Sequence, residues 1–379
     1  MKPIVIAGYA RSPFTLAQKG ALAHTRPDDL SAQVVRALIE RTHIDPAQIE
    51  DLIMGCAFPE GEQGFNIARL VGFLADLPLI VGGVTVNRFC GSSMQAVHMA
   101  AGAMQMGAGE AYICAGVESM SRIPMTGFNP MPHPELAARM AGAYMGMGET
   151  AENVAQKYTL SRAEQDAFAV ASQNKAATAQ AEGRLEAEIV PIETKAGTVE
   201  RDGCIRGDTT LEVLAGLKPA FAEHGTVTAA TSSPLTDGAS AVLVTTEAFA
   251  ERENLKPLAY VRSFAVSGCQ PEIMGIGPVG STKKALKRAG LSVDDLDVIE
   301  LNEAFASQAL ASIRDLGLDP DKINIDGGAI ALGHPLGATG ARITGKAAEI
   351  LHRTRGKWAL ATQCIGGGQG IATVLEGVS

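Results

Sequence analysis

An α/β fold made of two copies of one strand–helix unit, with a separate segment inserted between them, is what these 379 residues predict. Three observations lead there. Ile44 to Gly55 aligns with Leu291 to Asn302 at an offset of 247 (291 − 44), and the same offset pairs Ala111–Gly116 with Trp358–Gln363. The 42 glycines suit many tight strand-to-helix turns. Between Glu118 and Ser233 the texture changes, with proline and methionine clustered in Ile123-Pro124-Met125 and Pro130-Met131-Pro132-His133-Pro134. Identity between the copies is low, but the order strand, helix, strand, glycine-rich elbow, helix, strand recurs. Facing copies of such a unit predict a site built from the elbows of both at their junction.

Composition narrows the class. Hydrophobic residues are 46% and charged residues 19%, which excludes a mostly disordered chain. Aromatics are only 4%, so packing must rest on Ala, Val, Ile, Leu and the 13 methionines. A net charge of −9 argues against nucleic acid or an anionic membrane surface as partner, and any anionic ligand must be met by local cations. Cys56, Cys90, Cys114, Cys204, Cys269 and Cys364 form no Cys-x-x-Cys pair, so neither a metal site nor a disulfide framework is expected. A reducing, cytoplasmic compartment fits. No apolar run approaches about 18 residues, so no membrane span is expected. Met1 to Gly8 reads as a first strand rather than a signal peptide.

In chain order, Ile4 to Ala7 reads as a buried strand and Ala10 to Phe14 as the loop that leaves it. A helix follows, capped by Asp29 or Ser31, with Leu30, Val34, Val35, Leu38 and Ile39 in one apolar stripe. Ile49 to Gly55 is a strand, Asn66 to Leu74 a short helix, and Thr85 and Val86 end a strand that leads to Cys90. Ser93 to Met104 has the composition of a buried helix. In the middle segment Ser161-Arg162-Ala163-Glu164 has capping-box spacing, for a helix that can run to Gly183, and Asp202 to Asp208 is loop. The expected division is 1–117, completed by about 234–257, for the first copy, 118–233 for an insertion that covers a site, and 258–379 for the second copy.

Cys90 stands where a strand becomes a helix. Unpaired N–H groups and the positive end of the helix dipole favour a thiolate there, and the thiolate is the nucleophile. Taken alone a cysteine is more often a buried structural residue, and the other motifs reverse that choice. His334, in Gly333-His334-Pro335, is an acid or base in a glycine-rich elbow; a hydrogen-bonded core histidine is the alternative for a lone one. Cys364 follows the strand Ala359 to Thr362 and precedes Gly366-Gly367-Gly368, so its side chain is expected at a loop. No Gly-Lys-Ser/Thr follows those glycines, so they are not a P-loop, and their N–H groups suit an oxyanion. Two cysteines and one histidine at loop ends supply a nucleophile, a base and a second proton carrier. A Cys90–Cys364 disulfide is the structural alternative, disfavoured in a reducing compartment.

Together, Asn87-x-x-Cys90-Gly91-Ser92, Asn302-Glu303-Ala304-Phe305, Gly333-His334-Pro335 and Cys364-x-Gly366-Gly367-Gly368 resemble the motifs of the thiolase family, over the whole chain. The resemblance implies βαβαβαββ halves in a five-layered α-β-α-β-α core with an inserted loop domain. It implies that Cys90 is acylated, that His334 takes its proton and helps hold the thioester oxyanion, and that Asn302 holds a water in that first oxyanion hole. Cys364 then exchanges the proton at C2 of acetyl-CoA, and the N–H groups of Cys90 and Gly366 form a second oxyanion hole. For coenzyme A, Arg206 matches a position at the nucleotide end, though alone it reads equally as a solvated arginine. Ser233 matches a pantetheine contact, with Ala304 and Phe305 in the same site, and Met147 lies beside the acyl pocket.

In this resemblance coenzyme A is a co-substrate and no cofactor is permanently bound. Gly146 stands where many acetoacetyl-CoA-forming members have histidine, which is similar to the degradative branch that cleaves 3-ketoacyl-CoA to acetyl-CoA and a shortened acyl-CoA in fatty-acid β-oxidation. Asn302 stands where sterol-carrier members usually have histidine, so the chain does not resemble those. The alternatives are a biosynthetic acetyl-CoA C-acetyltransferase and, from another class, a catalytically silent CoA-binding scaffold. Expected partners are the CoA thioesters, a second copy in a homodimer or homotetramer, and a multifunctional β-oxidation subunit.

Overall fold

Strand β1 (Ile4–Arg11) opens the first copy in a computed structural model that describes residues 2–378. It is followed by α1 (Pro27–Thr42), β2 (Asp51–Gly55), α2 (Ile67–Leu74), β3 (Gly82–Val86), α3 (Ser92–Gln105) and β4 (Ala111–Ser119). A long excursion carries α4 (Met147–Lys157) and α5 (Arg162–Ala181), after which β5 (Thr236–Thr246) returns to pair with both β1 and β4. The second copy runs β6 (Ala259–Gly268), α6 (Gly277–Ala289), β7 (Val298–Leu301), α7 (Ala306–Leu316), α8 (Leu336–Thr354), β8 (Trp358–Ile365) and β9 (Gln369–Gly377).

The strands follow one path, β7-β8-β9-β6-β1-β5-β4-β2-β3. Outward from its middle, both arms have the same order: β1-β5-β4-β2-β3 on one side and β6-β9-β8-β7 on the other. Among the described residues their strands pair with each other only at Val5 with Tyr260 and Ile6 with Ala259. The second copy's counterpart of β3 is reduced to a bridge between Ile299 and Ile323. The offset of 247 aligns β2 with β7 (298 − 51) and β4 with β8 (358 − 111).

Side-chain alternation along a strand sends successive residues to opposite faces, and here both faces are buried. Along β4, Ala111, Ile113, Ala115 and Val117 join a core with α1 and α2, whereas Tyr112 and Cys114 join a second core. Along β8, Ala359 and Ala361 enter that same second core and Leu360 enters a third, with residues of α6 and α7. The shared core is filled by α3 and α8 between the arms. Five layers result: α1 with α2, first arm, α3 with α8, second arm, α6 with α7. The central helices touch so closely that a Cβ on Gly340 would run into the backbone of Met94. Small residues let them do so, which accounts for the scarcity of aromatics.

Some local expectations change. β1 continues to Arg11, which pairs with Ser240, so the loop starts later than Ala10. α1 begins at Pro27 after Arg26 with no side-chain cap; proline presets φ for the first turn, and Asp29 and Ser31 lie inside the helix. The strand expected from Ile49 starts at Asp51, because a 3-10 turn over Pro46–Gln48 takes Ile49 as its end. α5 carries its capping box from Ser161 to Glu164 and stops at Ala181, with Gly183 at φ +75°.

The excursion is tied to both copies by buried ion pairs. Glu188 meets Arg11 of β1 at 2.8 Å and Lys346 of α8 at 3.0 Å, and Asp202 meets Arg11 at 2.7 Å. Lys346 also reaches Asp326 at 2.8 Å. Among the described residues no helix is long and apolar enough to cross a membrane, and no group of three His, Cys, Asp or Glu could hold a metal.

Candidate active site

Cys90 precedes α3 by two residues and His334 precedes α8 by two, so the duplication puts both at one kind of elbow. The helix starts meet: the Ala341 N–H donates to Ser93 Oγ at 2.8 Å. Asn302 follows β7 and Cys364 lies near the end of β8, positions that correspond to Gly55 (302 − 247) and Val117 (364 − 247) of the first copy.

His334 is buried. Its Nε2 is 3.4 Å from Asn302 Nδ2, its Nδ1 is 2.6 Å from Thr339 Oγ1, and its backbone N–H donates to Thr236 Oγ1 at 3.0 Å. Burial, assisted by the Arg342 charge, lowers its pKa to about 3, so the ring is a neutral base at neutral pH.

Burial pushes the Cys90 thiol up to about 12, and the Glu118 charge adds to the rise. Hydrogen bonding from the N–H groups of Gly366 and of Cys90 itself pulls the other way. The thiolate expected at the helix start is therefore not the resting form; Cys90 lies ahead of α3, and loss of water outweighs the helix terminus. The protonated thiol needs a base.

Cys364 is also corrected. It belongs to β8, paired with Gly370 and fully buried, not to a loop. Gly366 to Gly368 make the turn of the β8–β9 hairpin, where φ of +77° at Gly367 and +84° at Gly368 suits glycine. Burial raises the Cys364 thiol well above its usual range, with Cys90 and Cys269 near enough to add to the rise. The Gln363 side chain donates to the Cys90 carbonyl oxygen, tying β8 to the first elbow. Beside them, a Cβ built on Gly366 would lie 3.4 Å from Met147 Sδ and 3.7 Å from Phe89.

Sequence reasoning missed Glu118. This buried carboxylate accepts from the N–H groups of Ala57 at 2.9 Å, Phe58 at 3.2 Å and Gly337 at 2.9 Å, and from Gln63 Nε2 at 2.7 Å. It joins the loop after β2 to the start of α8. Burial raises its pKa while those donors oppose the rise. The available signal was an acid at the end of the apolar run Ala111–Val117, beside the counterpart of Cys364.

The remaining candidates form a neighbouring group. The Ser233 N–H donates to the Ala304 carbonyl at 2.9 Å, and Ser232 bridges to Phe305. Phe305 meets Phe221 edge-on at 5.9 Å. Arg206 lines a cavity of about 310 Å³ with Ser232, Leu214, Leu217, Ala230 and Pro234. Arg206 is thus placed with Ser232 rather than with Cys90, and Leu214, Leu217 and Ala230 were not foreseen.

Residues 4–248 match the family model described as Thiolase, N-terminal domain, and residues 255–377 match Thiolase, C-terminal domain. A Bacillus subtilis (strain 168) protein named 3-ketoacyl-CoA thiolase is 47% identical over 389 residues, covering 99% of this chain and 100% of that protein. A Shewanella frigidimarina (strain NCIMB 400) protein of the same name is 50% identical over 388 residues, covering all of both. The crystal structure of human mitochondrial 3-ketoacyl-CoA thiolase in complex with CoA superposes with a TM-score of 0.92 at 38% identity, covering 100% of this chain and 98% of that one.

Proposed function

The chain belongs to the thiolase family, and we propose that it catalyses CoA-dependent cleavage of 3-ketoacyl-CoA to acetyl-CoA and a shortened acyl-CoA in fatty-acid β-oxidation. The observation that carries this reading is the convergence of two buried thiols and a buried imidazole: Cys364 on β8, which Gln363 ties to the Cys90 carbonyl at the first elbow, and His334 against Asn302 at the second.

Cys90 Sγ–H gives its proton to His334 and attacks C3 of the substrate. The C2–C3 bond breaks, its electron pair leaves as the acetyl-CoA enolate, and Cys364 protonates C2. Acyl-Cys90 remains. Free CoA gives its thiol proton to the Cys364 thiolate and attacks the acyl carbon, and the departing Cys90 sulfur recovers its proton from His334. Both steps build charge on carbonyl oxygens, where loss of one donor costs about 10²–10³ in rate. His334 with Asn302 would meet the first oxyanion, and the N–H groups of Cys90 and Gly366 the second. Residues 118–233 would hold coenzyme A, with Arg206 toward the nucleotide and Ser233, Ala304 and Phe305 along the pantetheine.

Gly146, standing where many acetoacetyl-CoA-forming members have histidine, supports a substrate longer than acetoacetyl-CoA. The test is CoA-dependent loss of enolate absorbance with acetoacetyl-CoA and with a longer 3-ketoacyl-CoA. Preference for the longer one is expected. Activity confined to acetoacetyl-CoA would turn the assignment to a biosynthetic acetyl-CoA C-acetyltransferase, and no cleavage of either would leave a CoA-binding scaffold. We also propose self-pairing at β3, the last strand of its arm, where Phe65 is 94%, Leu79 77% and Ile80 83% exposed. A homodimer, or two such dimers in a tetramer, and a cytoplasmic setting suited to six unpaired cysteines complete the reading.

A further inference from the structure

We infer that Thr339 is the positioning residue that fixes the His334 tautomer and so leaves Nε2 as the nitrogen that takes the Cys90 proton, an inference that rests on the thiolytic role of these two residues.

A neutral imidazole carries one proton on one of two nitrogens, and the partner of the other nitrogen decides which. His334 Nδ1 lies 2.6 Å from Thr339 Oγ1. A threonine hydroxyl has a single proton to donate. Thr339 Oγ1 also lies 3.0 Å from the Pro335 carbonyl, one helical turn back, and a carbonyl oxygen can only accept. The hydroxyl proton therefore belongs to Pro335, and the same oxygen must accept from Nδ1–H. That leaves a lone pair on Nε2. Nε2 is left facing the Asn302 side-chain amide at 3.4 Å. The backbone is held as well, because the His334 N–H donates to Thr236 Oγ1 at 3.0 Å, whose own proton goes to the Pro234 carbonyl at 2.6 Å.

The arrangement gives one ring nitrogen two successive tasks. Bare at rest, Nε2 receives the proton of Cys90 Sγ–H, leaving a thiolate and an imidazolium whose Nδ1–H stays on Thr339. Once protonated, the same nitrogen is a donor for the oxyanion that forms next. With the opposite tautomer the resting Nε2 would already hold a proton and could not accept another.

Selective ¹⁵N-histidine labelling of the wild-type protein tests the tautomer directly: His334 is expected to show a protonated Nδ1 and an unprotonated Nε2 at pH 7. The opposite pattern overturns the inference whether or not the protein turns out to cleave 3-ketoacyl-CoA. Thr339→Val removes the acceptor and Thr339→Ser restores it. In Thr339→Val, alkylation of Cys90 by iodoacetamide and kcat are both expected to fall by about 10–100-fold, within the range that proton transfer by a positioned base supplies, with KM little changed, and Thr339→Ser should recover most of both. Equal rates in the Val variant, or a Ser variant as impaired as Val, would overturn it. Should the Val variant fail to fold, the wild-type ¹⁵N pattern and the Ser variant still decide.

Discussion

A buried neutral imidazole makes a protein sensitive to mild acid, and this chain buries two. His98 places Nε2 2.8 Å from Thr373 Oγ1 and stacks on Phe264 with centroids 4.2 Å apart. Burial, then the Arg88 charge, lowers its pKa from 6.5 to about 3, in parallel with His334. Between those values the unfolded chain binds the proton and the folded chain does not, so stability rises with pH across that window and is lost as pH falls from 6.5. Each such histidine adds a slope of about 1.4 kcal/mol per pH unit. Urea unfolding between pH 7 and 5 should show it, and His98→Gln is expected to flatten the slope by about one proton; an unchanged slope would refute the assignment. The glycine at position 146 gives a second expectation: Gly146→His should shift preference toward acetoacetyl-CoA, with KM for a longer substrate rising about tenfold, close to the 1.4 kcal/mol of one hindered contact. Cys90, His334 and Asn302 could be singled out as candidates because each sits in a short contiguous motif. The protonation state of Cys90 was not legible, since the residues that bury it, Met120 and Leu336 among them, come from distant parts of the chain.

At the scale of elements, the β8–β9 hairpin sets where the Gly366 N–H points. An alanine at Gly368 would put its Cβ 2.5 Å from the Cys269 carbonyl oxygen at φ +84°. Left-handed backbone costs a residue with a Cβ about 1–2 kcal/mol before any clash. Gly368→Ala is therefore expected to lower stability by at least that much and to depress kcat more than it slows iodoacetamide alkylation of Cys90, because the donor moves while the base does not; equal losses would argue against a separate role for the turn. Local signals served well where four adjacent residues decide the outcome, as in the Ser161–Glu164 capping box. They failed at Cys364, where the run Cys-Ile-Gly-Gly-Gly reads as an exit. The ladder that keeps it in strand, Cys364 to Gly370 and Ile365 to Gln369, depends on a tight glycine turn folding the next strand back.

For the whole molecule, Glu188 is the carboxylate through which the excursion holds both copies, since Arg11 comes from the first and Lys346 from the second. Glu188→Gln leaves two buried cations short of a partner, and a loss of about 3 kcal/mol is expected in denaturant unfolding, with residues of the excursion becoming protease-sensitive first; a variant as stable as wild type would show that Asp202 and Asp326 suffice. The repeat that organises all of this was visible as an offset of 247, whereas the central pairing of α3 with α8 was not, because it joins residues more than 200 positions apart. The two outer strands of the sheet also differ. At β7, Asn324 occupies the edge: its N–H donates to the Ile299 carbonyl at 2.8 Å, and its side chain bonds the Leu301 N–H at 3.0 Å and the Leu301 carbonyl at 2.8 Å. At β3 every residue is half-buried and apolar side chains stand exposed nearby. Leu79→Asp with Ile80→Asp is accordingly expected to halve the mass seen by sedimentation, and an unaltered mass would locate the interface elsewhere. A sheet with one receptive margin and one sealed margin can join a like sheet only once. On the proposed pairing at β3 its growth would be finite: two copies would close on each other about a twofold axis, with no place for a third strand-to-strand partner to make a fibre.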